Sequence, residues 1–178
     1  TASNSFTGDV NINRAFDNGR GRYGGVGLRE NGTLSGVNQI TLNRDGQLYL
    51  DNSAINLSNR VNDLAAITTR GRSQIEILAN GSASSYERFG SVTTAQGSLA
   101  IELDKDDGSP QEQVLEIGNL VRTPGSIVGF HASDLRQGTF TFSGPTGIVV
   151  NLLDGGLSLA EVCSGGCVGS TNRRVAIG

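Results

Sequence analysis

Three stretches of the sequence follow one another at nearly equal spacing and share one pattern of apolar and polar residues. They are ITLNRDGQLYL at 40–50, ITTRGRSQIEI at 67–77 and VTTAQGSLAIEL at 92–103, so their first residues lie 27 and 25 positions apart. Each begins with a β-branched residue and threonine, continues through a polar bend, and ends in alternating apolar residues. The bends contain Gly46, Gly71 and Gly97. A period in the twenties that is built from strand patterns is typical of a solenoid.

Two weaker copies of the pattern begin at Leu120 and Phe142. A single unit cannot bury its aliphatic face, so the units must stack and pair strand with strand, about 4.8 Å apart. The alternation predicts an interior ladder of Ile40, Leu48, Leu50, Ile67, Ile75, Ile77, Val92, Leu99 and Ile101. The residues between them are predicted to face solvent: Gln47, Tyr49, Asp51, Gln74, Glu76 and Glu102.

We therefore predict an all-β fold, a right-handed parallel β-helix with about 22–28 residues per coil. The alternative is a β-sandwich, which also contains many short alternating strands. The 178 residues are enough for one continuous core, and we predict a single solenoid domain over 1–178. No apolar run approaches the roughly 18 residues that span a membrane, and the basic residues are scattered. This composition argues against membrane insertion and against nucleic-acid binding.

The segment 55–103 resembles the phrase N-R-hydrophobic-x-D-x-A … E-x-x-G-x-[LV]-T of autotransporter-associated β-strand repeats, found in large secreted proteins of Gram-negative bacteria. NSFTGDVNIN near the start resembles the entry to such a strand. The resemblance implies an extracellular, right-handed parallel β-helix that acts as an adhesin, surface fibre or matrix component, without catalytic residues. The matching residues are Asn59, Arg60, Asp63, Ala65, Glu87, Gly90, Val92, Thr93, Gly97 and Leu99.

Acidic residues give the best candidates for ion or acid–base chemistry. Asp104, Asp106 and Asp107 precede a glycine and form a candidate Ca²⁺ loop, but their spacing does not fit an EF-hand, and we favour a solvated acidic loop. Glu76, Glu102 and Glu116 are predicted at similar outward positions on successive strands. Polysaccharide-cleaving enzymes use paired carboxylates, but no basic residue aligns with these three. We expect surface charges, no catalytic residue, no metal and no cofactor.

His131 has Ser133 and Asp134 close by in sequence, but no nucleophile-elbow phrase accompanies it. We interpret His131 as a turn or coil-wall residue. Cys163 and Cys167 lie in the glycine-rich stretch 155–178 and are the only cysteines. A close pair of this kind predicts a small disulfide loop in an oxidising compartment.

Neither end of the sequence reads as a polar cap: TASNSFTGDVNI begins as a repeat, and RRVAIG is strand-like. An uncapped solenoid ends in an unpaired strand edge. We expect a segment or subunit of a longer rod, whose partners are copies of itself stacked end to end, and host or matrix glycans or proteins. The leading hypothesis is a non-enzymatic structural or adhesin module, extracellular or at the bacterial cell surface. The alternatives are a carbohydrate-active or glycan-binding β-helix, such as a polysaccharide lyase or hydrolase, and a trimeric phage tail-spike segment.

Overall fold

The computed structural model describes residues 6–13, 24–104, 113–132, 146–153 and 174–177. These residues form strands and no helix, so none of them belongs to a helix that could cross a membrane. The strands are β1 Val10–Ile12, β2 Gly24–Leu28, β3 Gln39–Leu42, β4 Gly46–Asp51, β5 Ala66–Leu78, β6 Ser85–Asp104, β7 Gln113–Arg122, β8 Ile127–Ala132, β9 Thr146–Leu153 and β10 Arg174–Ile177.

Strands pair in parallel from one coil to the next, and this pairing confirms the predicted β-solenoid, with about four turns. One backbone column runs through Val10, Ile40, Ile67, Val92, Leu120 and Leu153. Successive members are 30, 27, 25, 28 and 33 residues apart. The coils are thus longer than predicted at both ends. Leu153 takes the column position that the sequence pattern assigned to Phe142, a residue outside the described ranges.

Each full coil has three sides, which we call A, B and C. Side A contains β1, β3 and the segments 66–69, 91–94, 119–122 and 152–153. Side B contains β2, β4, the segments 73–78 and 98–103, and β8. Side C contains the segments 85–89, 113–117 and 146–150. The long strands β5, β6 and β7 therefore each continue around a corner of the coil.

Left-handed backbone positions make the bend from side A to side B. Gly71 has φ 92° and Gly97 has φ 80°, and the two are registered with each other. A Cβ on Gly97 would lie 2.7 Å from the backbone of Gly71, so this column requires glycine in both coils. In the preceding coil the left-handed residue is Asp45, with φ 59°, while Gly46 is registered with Ser73. The sequence pattern equated three glycines, and only two of them are equivalent.

The interior contains all nine residues of the predicted ladder, each at most 1% exposed. Leu48, Ile75 and Ile101 form one column on side B. Leu99 is registered with Ser73, because a bulge between Thr69 and Arg70 shifts the register by one residue there. Side C adds a further column that the ladder prediction did not include, formed by Phe89, Ile117 and Val150.

The C-terminal strand is the exception to parallel pairing. β10 lies on β8 in the antiparallel direction, with Val175 registered with Phe130 and Ile177 with Val128. The strand-like character of RRVAIG was therefore correctly predicted, but the strand occupies an edge of its own chain. On side B this edge is the one that a further coil would otherwise occupy.

Candidate functional site

Two residues that carry the sequence resemblance, Arg60 and Glu87, form a buried corner with Asn52, and we define the buried corner as these three residues. Arg60 is 0% exposed and ends in a guanidinium that has no carboxylate partner at hydrogen-bonding distance among its described contacts. Its Nε donates to Asn52 Oδ1 at 2.6 Å. Its terminal nitrogens donate to three backbone carbonyls, those of Gly32, Asp51 and Ile55, at 2.9, 2.9 and 2.7 Å. The planar fork of donors thereby joins carbonyl groups from two successive coils.

Glu87 completes the buried corner from the next coil. The residue is 4% exposed, and its two carboxylate oxygens accept the backbone N–H groups of Arg60 at 2.8 Å and Val61 at 2.9 Å. These amides lie outside any strand, so the carboxylate replaces the ladder hydrogen bonds that they lack. Burial raises the pKa of Glu87 to about 7, although the two amide donors oppose the shift. The carboxyl therefore titrates in the physiological range.

The other matched residues fix the backbone around this corner. Asn59 has a left-handed φ of 54°, and its side-chain amide lies 3.5 Å from Asp63 Oδ2. The carbonyl of buried Ala65 accepts the N–H of Gly90 at 3.0 Å. A Cβ on Gly90 would lie 2.7 Å from the Leu64 carbonyl oxygen, so only glycine fits without a shift. The motif residues therefore serve the architecture of the corner.

Outward side chains on side B form a second group, the outer row, which we define as Gln47, Tyr49, Gln74, Glu76 and Glu102. Tyr49, Glu76 and Glu102 are registered with one another in successive coils. The Gln47 amide donates to Glu76 at 2.7 Å, and the Gln74 amide donates to Glu102 at 2.9 Å. Each carboxylate is thus held by an amide from the coil before it, which reduces the repulsion expected between stacked like charges.

Burial and neighbouring charge shape the electrostatics of the outer row. Burial raises the pKa of Glu76, and the charges of Glu102 and Asp104 raise it further. At the other end of the row, the Arg29 guanidinium carbon lies 5.5 Å from the centroid of the Tyr49 ring, and Arg29 Nε lies 3.5 Å from Asp51. An aromatic face, amides and carboxylates on one surface are groups that can pack against and hydrogen-bond a sugar.

Glu116 is not a member of the outer row, so its predicted position is wrong. It lies on side C, registered with Arg88, because β7 begins on that side of the coil. His131, on β8, takes the position beside Glu102 instead. Residues 105–112 separate β6 from β7, and the coils differ in length. The spacing in the sequence alone therefore does not show that Glu116 lies on side C and not on side B.

Glu116 is the centre of a third group, the side-C cluster, which we define as Tyr86, Arg88, Glu116 and Asn151. The Tyr86 hydroxyl donates to Glu116, as does the Asn151 amide at 2.7 Å, and Arg88 Nε lies 3.3 Å from the same carboxylate. The hydrogen bond from Tyr86 lowers the pKa of Glu116, while burial and this carboxylate raise the pKa of Tyr86 to about 12. The expectation that no basic residue stands beside these acids is therefore wrong for Arg88. The cluster ties three successive coils together.

Several predicted residues lie outside the described part of the chain. Asp104 is exposed at the end of β6, whereas Asp106 and Asp107 are not described, so the favoured solvated acidic loop stays a prediction and the candidate Ca²⁺ loop stays an alternative. Cys163 and Cys167 are likewise not described, and the disulfide stays a prediction. Within the described ranges, no group of three or more His, Cys, Asp or Glu side chains is arranged to hold a metal ion.

Comparisons with family models, with curated proteins and with solved structures found no match to this chain. The likeness to autotransporter-associated repeats therefore depends on the motif residues themselves. The structure adds a physical role for these residues, in a β-solenoid of about four turns.

Proposed function

We propose that the chain is a non-enzymatic structural module of an extracellular rod, in which copies or further coils stack end to end. The observation that carries this proposal is the uninterrupted parallel register of side A, from Val10 to Leu153. Such a ladder has no inherent end, because each outer strand offers the same backbone groups as the strand beneath it. A module of this kind works by stiffness and by the display of surface side chains.

The polar groups of the molecule support a mechanical role. The buried corner joins Gly32, Arg60 and Glu87 from three successive coils. The side-C cluster does the same through Tyr86, Glu116 and Asn151. In both groups the ionisable side chains are engaged with each other or with backbone, and this arrangement favours cohesion between coils over chemistry on a substrate.

The outermost strands supply the stacking surfaces of the proposed rod. β1 and β2 begin sides A and B, and each pairs on one edge only with described residues. β2 carries Leu28 buried and Val26 half-buried at alternate positions, and β8 at the other end carries Val128 and Phe130 in the same alternation. β2 of one copy placed on β8 of another would therefore extend both the backbone ladder and the apolar interior.

Sedimentation velocity over a concentration series, with negative-stain electron microscopy, tests the proposal. We expect rods whose length grows with concentration. The double variant N11K/G27K places charges on β1 and β2, at exposed positions, and a Cβ at Gly27 meets only ordinary contacts. Edge charges oppose strand addition, so this variant should need about a tenfold higher concentration to assemble, a change of about 1.4 kcal/mol. The matched control A54K/S82K adds the same charge at exposed loop positions, and equal loss of assembly in both variants would contradict end-to-end stacking.

The outer row supports a second candidate function, contact with a glycan. The Tyr49 ring, with Arg29 beside it and the Glu76 carboxylate in the next coil, forms a partly buried polar surface. Glycan-array binding by the intact chain, compared with Y49A and with Y86A on side C as the matched control, tests this function. Signal that falls only in Y49A supports it, and equal binding by all three proteins excludes the outer row.

The location at a bacterial surface, as in autotransporter-associated repeats, belongs to the same proposal. Its support is the set of motif residues, of which Arg60 and Glu87 lie in the buried corner and Gly90 lies next to it. Extracellular rods of this kind would present long lateral surfaces for weak, repeated contacts with host or matrix molecules. Immunolabelling of intact cells with an antibody against the chain would locate it.

A further inference from the structure

The strand that covers β8 runs in the wrong direction for a solenoid coil. On side B, β2, β4, β5, β6 and β8 pair in parallel, each with the next. The next position on β8 is filled by β10, which pairs antiparallel through Arg174–Ile177. The chain therefore closes, with its own C-terminal strand, one of the edges that the proposed rod would use.

We propose that β10 is a displaceable plug, which blocks in cis the β8 edge to which β2 of a second copy of this chain binds. The inference depends on the proposed end-to-end stacking and adds to it a control on the use of the joining strands β2 and β8. Assembly then requires β10 to leave β8, so a chain with β10 in place stays short or monomeric.

β2 and β8 match each other as pairing partners. β2 has five residues and β8 has six, so a parallel ladder over nearly their full length is available. Buried or half-buried apolar residues alternate in both, and the positions between them include Gly27 and Gly129. A Cβ at Gly129 would meet nothing within 4 Å, so the outer side of β8 is open at this position. No bulky side chain at these positions opposes the approach of a second strand.

The pairing of β10 is short enough to be exchanged. It comprises four residue pairs, against six between β6 and β8 and thirteen between β5 and β6. The 20 residues 154–173 join Leu153 to Arg174, so β10 binds β8 intramolecularly, at an effective concentration that the length and stiffness of this link set. A second copy can compete with such a strand when the copies are concentrated, and more easily when the β10 pairing is weakened.

Two full-length variants test the plug, both in a C163S/C167S background. V175K/I177K weakens β10, because these two residues hold the register positions of buried Phe130 and Val128. G129C/A176C links the directly registered pair Gly129 and Ala176, so oxidation locks β10 on β8. Mass spectrometry verifies the lock, and urea unfolding verifies that each variant is folded.

We expect V175K/I177K to form rods at a concentration at least about tenfold lower than the background chain, and A54K/S82K, with the same added charge, to behave as the background. The oxidised G129C/A176C chain should stay monomeric and assemble like the background after reduction. Rods from the oxidised G129C/A176C chain, or no gain of assembly in V175K/I177K, would overturn the plug. End-to-end stacking would remain supported in either case if the background chain forms rods. Absence of rods from every variant, V175K/I177K included, would overturn both proposals.

Discussion

The buried corner and the side-C cluster perform the same task in opposite environments. Each joins three successive coils through a charged side chain and hydrogen-bond partners from the coils on either side. Arg60 is fully buried, whereas the side chains of Arg88 and Glu116 are 37% and 23% exposed. Water can replace the partners that the cluster loses, whereas the side chains of the corner, those of Arg60, Asn52 and Glu87, are buried. Burial, more than the number of hydrogen bonds, should therefore decide how strongly each group stabilises the stack.

Removal of the Arg60 guanidinium should give the largest effect. R60M keeps an apolar stem but removes the donor of three partly buried backbone carbonyls, and it leaves Asn52 Oδ1 with the N–H of Leu57 at 3.3 Å. Unsatisfied acceptors cost about 1–3 kcal/mol each when taken singly, and we expect a loss of about 3–5 kcal/mol in the free energy of unfolding. Urea unfolding followed by circular dichroism measures the change.

R60K is the matched control for this substitution. Lysine keeps the charge and three donors but loses the planar fork, so it should restore only part of the lost stability. Equal stability of R60M and the unsubstituted chain would show that the carbonyls find other partners. The buried corner would then contribute no more than the side-C cluster does.

Titration of Glu87 should give the next effect, and its sign follows from the raised pKa. The folded carboxyl has a pKa of about 7 and the unfolded one about 4.5, so between these values the folded chain binds more protons. Stability from this group is therefore fully present below pH 4.5 and is lost as the pH rises through 7, by on the order of 3 kcal/mol. Unfolding free energies across this range should fall more steeply with pH in the unsubstituted chain than in E87Q.

E116Q is the contrasting variant for that experiment. The pKa of Glu116 is lowered, chiefly by the Tyr86 hydroxyl, so its contribution is present above its unfolded pKa and is lost as the pH falls through the folded value. The two glutamates thus change stability with opposite slopes. Parallel pH profiles for E87Q and the unsubstituted chain would mean that Glu87 keeps an ordinary pKa despite its burial.

Alanine substitutions at two glycines should distinguish the tightly packed backbone beside the buried corner from the open outer surface. A Cβ on Gly90 would lie 2.7–2.9 Å from three backbone atoms of Leu64, next to the buried corner. We expect G90A to lower the unfolding free energy by about 1–3 kcal/mol, since backbone cannot yield as a side chain can. G129A meets nothing within 4 Å and should change stability by less than about 0.5 kcal/mol. Similar losses in both variants would contradict the difference in packing.

The parts of the fold that sequence predicts are those in which each coil repeats the last. Ile40, Ile67 and Val92 share a column, as their common pattern indicated, because sides A and B alternate inward and outward residues. The repeated pattern does not predict the strands of side C, because these strands begin where the coils vary in length. Glu116 was assigned to the outer row for the same reason, and its true neighbour Arg88 was missed.

The sequence contains Arg60 and Glu87 as parts of a motif, but it does not show what their side chains bind. Asn59, Arg60 and Glu87 were recognised by resemblance, but no spacing rule shows that one side chain supplies donors to carbonyls of distant loops. A signal was available: an arginine and a glutamate 27 residues apart, one coil length, next to apolar residues. The direction of β10 has no such signal, because a strand of only four residues fits either direction.

The side-C cluster should give the smallest effect on stability and the clearest spectroscopic one. Y86F removes one hydrogen bond at a partly exposed site and should cost less than about 1 kcal/mol. In the intact chain the Tyr86 hydroxyl should titrate at about 12, and in E116Q at a lower pH, because the carboxylate that opposes its ionisation is gone. NMR of ¹³C-labelled tyrosine, with Tyr49 as the internal reference, follows both. A Tyr86 titration that E116Q leaves unchanged would mean that burial alone raises this pKa. Burial would then dominate the electrostatics of the side-C cluster, as it does for Glu87 in the buried corner.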